Sequence, residues 1–142
     1  MQIAFLLLND YSESLNGKLY ALGAGWNVLR FPSFPQEWRF SVGLGVDVAW
    51  DETNQRQNIQ LTIQDPDGSV LGDEMSMEFE TGRPPGLQTG QDQRMVISVN
   101  VGANFEAPGP HALVVSEGDD ELARSRFYVV EAPQDAVQLG GQ

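Results

Sequence analysis

The sequence predicts an all-β fold, an antiparallel two-sheet β-sandwich, Ig-like or C2-like, with about eight or nine strands. Three observations predict it. Pro108 to Val130 reads as a turn, a strand, an acidic hairpin tip at Gly118-Asp119-Asp120-Glu121 and a returning strand. Trp38, Phe40, Val42, Leu44, Val46, Val48 and Trp50 alternate with small or polar residues, the period of a strand with one face in a core. Turn signals recur at short spacing along the chain while helix signals are nearly absent.

Each element follows in order. Ile3–Leu8 is a continuous apolar run, the mark of a strand buried on both faces. The polar stretch Asn9–Leu15 reads as a connection, ending at Asn16-Gly17, a type I′ turn signal or a loop end that needs positive φ. Lys18–Leu22 and Trp26–Phe31 read as strands separated by Gly23-Ala24-Gly25. Phe31-Pro32-Ser33-Phe34-Pro35 cannot continue a ladder, because each Pro lacks a donor, so it reads as a crossover between sheets.

In the Trp38–Trp50 strand, Gly43 and Gly45 fall on the face opposite the apolar one and leave room for a bend or a close neighbour. Trp38 and Trp50 share its apolar face, which makes the core the default for both, with an exposed contact at the rim as the alternative for Trp50. Asp51–Gln57 is a polar loop, and Ile59, Leu61 and Ile63 alternate again. Asp65-Pro66-Asp67-Gly68 then makes a tight hairpin turn. Met75, Met77 and Phe79 alternate with Ser76, Glu78 and Glu80, and Gly82–Gln93 is the longest irregular loop. Met95–Val101, Ala112–Val115 and Leu122–Val130 complete the strands. Residues 1–133 are expected to form one domain, with 134–142 as a C-terminal tail.

Composition narrows the function classes. With no Cys there is neither a disulfide nor a thiolate-held metal, and 142 residues suffice for a core without them. Twenty acidic residues against eight basic ones give a net charge of −12, with no basic arm to neutralise phosphates. Nucleic acid and anionic membranes are therefore not expected partners. The apolar run at Ile3–Leu8 lacks a positive flank and the length of a secretory segment, and no stretch approaches a membrane span. The expected location is cytoplasmic.

Asp10, Asn16-Gly17-Lys18-Leu19-Tyr20, the Gly-rich step before Trp26 and then Phe31-Pro32 resemble the opening of a group of small uncharacterised bacterial proteins. The likeness extends from about Ile3 to Val130, through Ile63-Gln64-Asp65-Pro66-Asp67-Gly68 and Phe105-Glu106-Ala107-Pro108-Gly109. His111 departs from it, standing where an aromatic residue is common in such hairpins. The resemblance implies the fold and no mechanism.

No constellation for catalysis stands out. His111 is the single histidine, there is no Gly-x-Ser-x-Gly elbow, and its place after Pro-Gly-Pro at a strand start suits a structural role. Gly23-Ala24-Gly25 has no helix behind it to receive a phosphate, and Gly17-Lys18-Leu19 lacks the remainder of a P-loop. Paired carboxylates for glycoside hydrolysis have no fixed spacing here. The expectation is a non-enzymatic interaction or structural module, without cofactor or metal, meeting a protein partner or a second copy through a sheet edge or one loop end. The alternative is a calcium-dependent C2-like module. Counting connections places the Asp51–Gln57 loop and the Gly118–Glu121 tip at one end, so Asp51, Glu52, Asp119 and Asp120 are the candidate ligands, with Trp50 beside them. Such acidic turns are also ordinary solvated turns.

Overall fold

A computed structural model describes residues 1–133; the expected tail, 134–142, lies outside the described residues. Among the described residues there are nine strands in two sheets and no α-helix. The strands are β1 (Gln2–Leu15), β2 (Lys18–Ala24), β3 (Val28–Phe31), β4 (Gln36–Val48), β5 (Arg56–Gln64), β6 (Val70–Glu80), β7 (Gln93–Phe105), β8 (Gly109–Glu117) and β9 (Asp120–Glu131). One sheet runs β2-β1-β4-β7 and the other β3-β9-β8-β5-β6. A single turn of 3₁₀ helix, Trp50–Glu52, follows β4.

The alternation along β4 does what its period demands. Phe40, Val42, Leu44, Val46 and Val48 are buried on one face and join Ile59, Leu61, Leu113, Val115, Phe127 and Val129 from the other sheet in one apolar cluster. Aromatic edges knit it together: Trp26 meets Phe40 at 5.2 Å and Phe127 at 6.2 Å between ring centroids. His111 belongs here too. Its ring stacks on Phe127 at 5.7 Å, meets Phe105 edge-on at 5.4 Å, and its Nδ1 lies 2.9 Å from the Gly109 carbonyl. The histidine thus fills an aromatic position of the hairpin, as its place in the sequence suggests.

Four expectations need correction. The ladders are not all antiparallel, because β3 pairs with β9 in parallel register, Val28 beside Tyr128 through Phe31 beside Glu131. The chain changes sheets between Ala24 and Val28 and returns through the Pro-rich crossover, so β3 meets a strand far along the sequence and the order of the hairpins does not fix its direction. Asn9–Leu15 is not a connection but the second half of β1. Trp38 is 45% exposed at the start of β4 and leans on Phe31 at 5.7 Å instead of entering the core. Trp50 does not prolong β4, which ends at Val48 where the 3₁₀ turn redirects the chain.

Candidate functional site

The second half of β1 sets up the most unusual surface of the molecule. From Gln2 to Asn9, β1 pairs with β4, Leu8 opposite Val42 and Asn9 opposite Ser41. Beyond Asn9 that pairing stops, and β1 continues with β2 alone as a two-stranded ribbon closed by Asn16-Gly17, both with positive φ as a type I′ turn requires. The ribbon lies across the outer face of β4 and β7. Ser12 Oγ meets Ser41 Oγ of β4 and, at 2.7 Å, Ser98 Oγ of β7. Ser98 Oγ also donates to the Ser12 carbonyl at 2.9 Å, and Ser14 Oγ donates to the Val96 carbonyl at 2.6 Å.

Glycine makes this approach possible. A Cβ at Gly43 would collide with the Leu19 side chain from β2, and one at Gly45 with the Phe5 ring. The two glycines that break the apolar pattern on the far face of β4 are the floor on which these side chains rest.

Pairing register fixes what the ribbon shows to solvent. Ser12 opposes Ala21 and Ser14 opposes Leu19, and these residues face the sheet. By strand alternation the opposite face carries Tyr11 beside Leu22, Glu13 beside Tyr20 and Leu15 beside Lys18. Tyr11 is 50% exposed, Leu15 56%, Tyr20 53% and Leu22 68%. At about 200 Å² per large side chain this is on the order of 400 Å² of contiguous exposed surface, near the largest that single-chain proteins leave uncovered. The Tyr11 hydroxyl donates to Glu13 Oε1 at 2.7 Å, and that carboxylate holds the phenol above its ordinary pKa.

The candidates read from the sequence lie elsewhere, on the connections beyond the C-terminal ends of β4, β6 and β8. Trp50 is half-buried beneath the Arg83 guanidinium, whose carbon is 3.9 Å from the ring centroid. Arg83 also donates to Thr53 Oγ1 at 2.6 Å and to the Trp50 carbonyl at 2.7 Å, so Trp50 ties the long 81–92 connection to the 3₁₀ turn. Glu52 accepts from the Met1 ammonium at 2.5 Å and from the Ala49 N–H at 3.0 Å; these bonds hold its carboxyl below the ordinary range. The Asp51 carbonyl accepts from Gln55 Nε2 at 2.8 Å. Asp119 is exposed in the β8–β9 turn, and Asp120 opens β9 opposite Glu117. Among the described residues no group of three or more His, Asp or Glu side chains is placed to hold a metal ion, so these four carboxylates do not form one.

The ribbon face had a signal in the sequence. Tyr11, Glu13 and Leu15 alternate with Ser12 and Ser14, and the Asn16-Gly17 turn folds them onto Lys18–Leu22. Hydroxyl residues at every second place made a strand read as a connection.

No helix among the described residues is long and apolar enough to cross a membrane. No curated protein matches the chain in sequence. Among solved structures, a β-glucosidase from Listeria innocua in complex with glucose is similar over 73% of this chain, with a TM-score of 0.39 and 13% identity. The same enzyme with isofagomine is similar over 90% of the chain, with a TM-score of 0.38 and 13% identity. This chain spans only 15% and 16% of those chains. A family model covers residues 4–130, and the chain belongs to that family, the Family of unknown function (DUF6941).

Proposed function

We propose that this member of DUF6941 is a non-enzymatic protein-interaction module that meets its partner through the outward face of the β1–β2 ribbon. In this reading the two sheets are a β-sandwich scaffold, Ig-like or C2-like, working in the cytoplasm, and the ribbon is the part that touches. The observation that carries it is the exposure of Tyr11, Leu15, Tyr20 and Leu22 on one face. Two tyrosines among aliphatic side chains, with one carboxylate and one ammonium between them, have the make-up of an interface. Exposed apolar groups of this extent on an otherwise strongly acidic chain gain free energy when covered.

The test is capture on immobilised wild-type protein and on the Tyr20→Ala, Leu22→Lys double variant, with captured chains identified by mass spectrometry. A specific protein held by the wild type and lost from the variant is the expected outcome. Identical capture by both proteins, or none by either, removes the ribbon as the binding surface.

A further inference from the structure

We infer that the partner of the ribbon face is a second copy of this chain, paired about a two-fold axis that sets Glu13 of each copy against Lys18 of the other. This rests on the reading of the ribbon as the binding surface and adds the identity of what covers it. The inference comes from the charges on the face. The chain carries −12 overall, yet the ribbon face holds one carboxylate, Glu13, and one ammonium, Lys18, and is locally neutral. A neutral face does not recruit by sign. It selects a surface that offers apolar area together with one charge of each sign, and a copy of itself does so by construction, since a two-fold interface brings the same patch from both sides.

Position on the ribbon agrees. Glu13 and Lys18 lie on different strands and are offset by two pairs along the ribbon, Glu13 opposite Tyr20 and Lys18 opposite Leu15, with Ser14 and Leu19 between them on the other face. A two-fold axis in the plane of the face, passing between them, superposes each on the other's place. Tyr20 and Leu15 then lie within the closed area beside the two ion pairs. Elsewhere the acidic charges repel one another, but in physiological salt that repulsion is screened within about 8 Å. The neutral patch is the place where two such acidic molecules approach with least electrostatic opposition.

Area sets the strength. A standard interface covers about 800 Å² per partner, and the exposed parts of Tyr20 and Leu15 supply on the order of a quarter of that. The pair is therefore weak, reversible and concentration-dependent.

Sedimentation velocity from low to high micromolar concentration tests the pairing on the full chain, using wild type, Leu15→Lys, Glu13→Lys and Lys18→Glu. All three substitutions are at exposed ribbon positions, and a shared melting midpoint checks that each folds. The expected result is a wild-type dimer, about tenfold weaker association in each variant, and recovery when Glu13→Lys and Lys18→Glu are mixed in equal amounts. Recovery on mixing requires opposite charges across the interface, which a merely structural role of either residue does not produce. A wild-type monomer at every concentration overturns the self-pairing, as does a dimer that all three variants keep. The capture experiment separates this failure from that of the broader reading: another protein lost with the ribbon variant leaves the module standing without the self-pairing.

Discussion

The molecule has two internal interfaces, and they are built from opposite chemistry. Between the sheets, Val42, Leu44, Val46, Phe105, Leu113 and Phe127 leave essentially nothing exposed and contribute almost no polar atom. Between the ribbon and the outer face of β4 and β7, the contacts are hydroxyl to hydroxyl, through Ser12, Ser41 and Ser98, with Leu19 over Gly43 as an apolar anchor. The first interface gains its strength from area removed from water, the second from directional bonds worth about 1 kcal/mol each after exchange with solvent. The apolar side chains of the ribbon that would have strengthened the second interface point away from it. The chain thus places Tyr11, Leu15, Tyr20 and Leu22 outside and serines inside, and that outward face is the one proposed to bind.

The largest expected effect breaks the first interface. Phe127→Ala opens a cavity among Trp26, Phe40, Phe105 and His111, and should cost about 3–5 kcal/mol in urea unfolding. Gly43→Val acts on the second. Its side chain would push Leu19 off the floor, for about 1–3 kcal/mol. Hydrogen exchange should then rise in residues 11–22 well above the rise in β5 and β8. A uniform rise across the protein would mean that the ribbon is as cohesive with the sheet as the core is.

How much of this could be read in the sequence follows the same division. β4, β5 and the β8–β9 hairpin are legible because one apolar face gives a clean period of two. The β1–β2 ribbon was half legible: Asn16-Gly17 marked its turn, but its inner face is satisfied by hydroxyls and so lacked the apolar period. The parallel β3–β9 pairing was not legible, since β3 is four residues long and lies in a different sheet from both β2 and β4, so its neighbour is chosen by packing. At the loop end, the Asp and Glu residues were visible as types. What the sequence concealed is that Glu52 is engaged by a distant ammonium, and that Trp50 is covered by Arg83 instead of being open to a partner.

The smallest expected effect sharpens the contrast through pH. Asp47, bonded to Arg94 at 2.7 Å, and Glu52, bonded to the Met1 ammonium, both titrate below the ordinary carboxylate range in the folded protein. Their contribution is therefore present above the unfolded carboxylate pKa and is lost as pH falls through the folded values. Each such pair contributes little, because water screens it. Melting curves should show global stability declining as the solution is acidified through that window. The seat of the ribbon is made by serines, which do not titrate there, so Asp47→Asn should reduce the acid dependence without altering exchange in residues 11–22.

The most direct test of the central claim is hydrogen exchange on the wild-type protein, dilute and then at high concentration or with the protein it captures. Protection gained at residues 11–22, with the 49–55 and 117–121 connections unchanged, is the predicted result. Protection at those connections with the ribbon exchanging as freely as before would contradict it, and would move the binding surface to the loop end around Trp50 and Asp119.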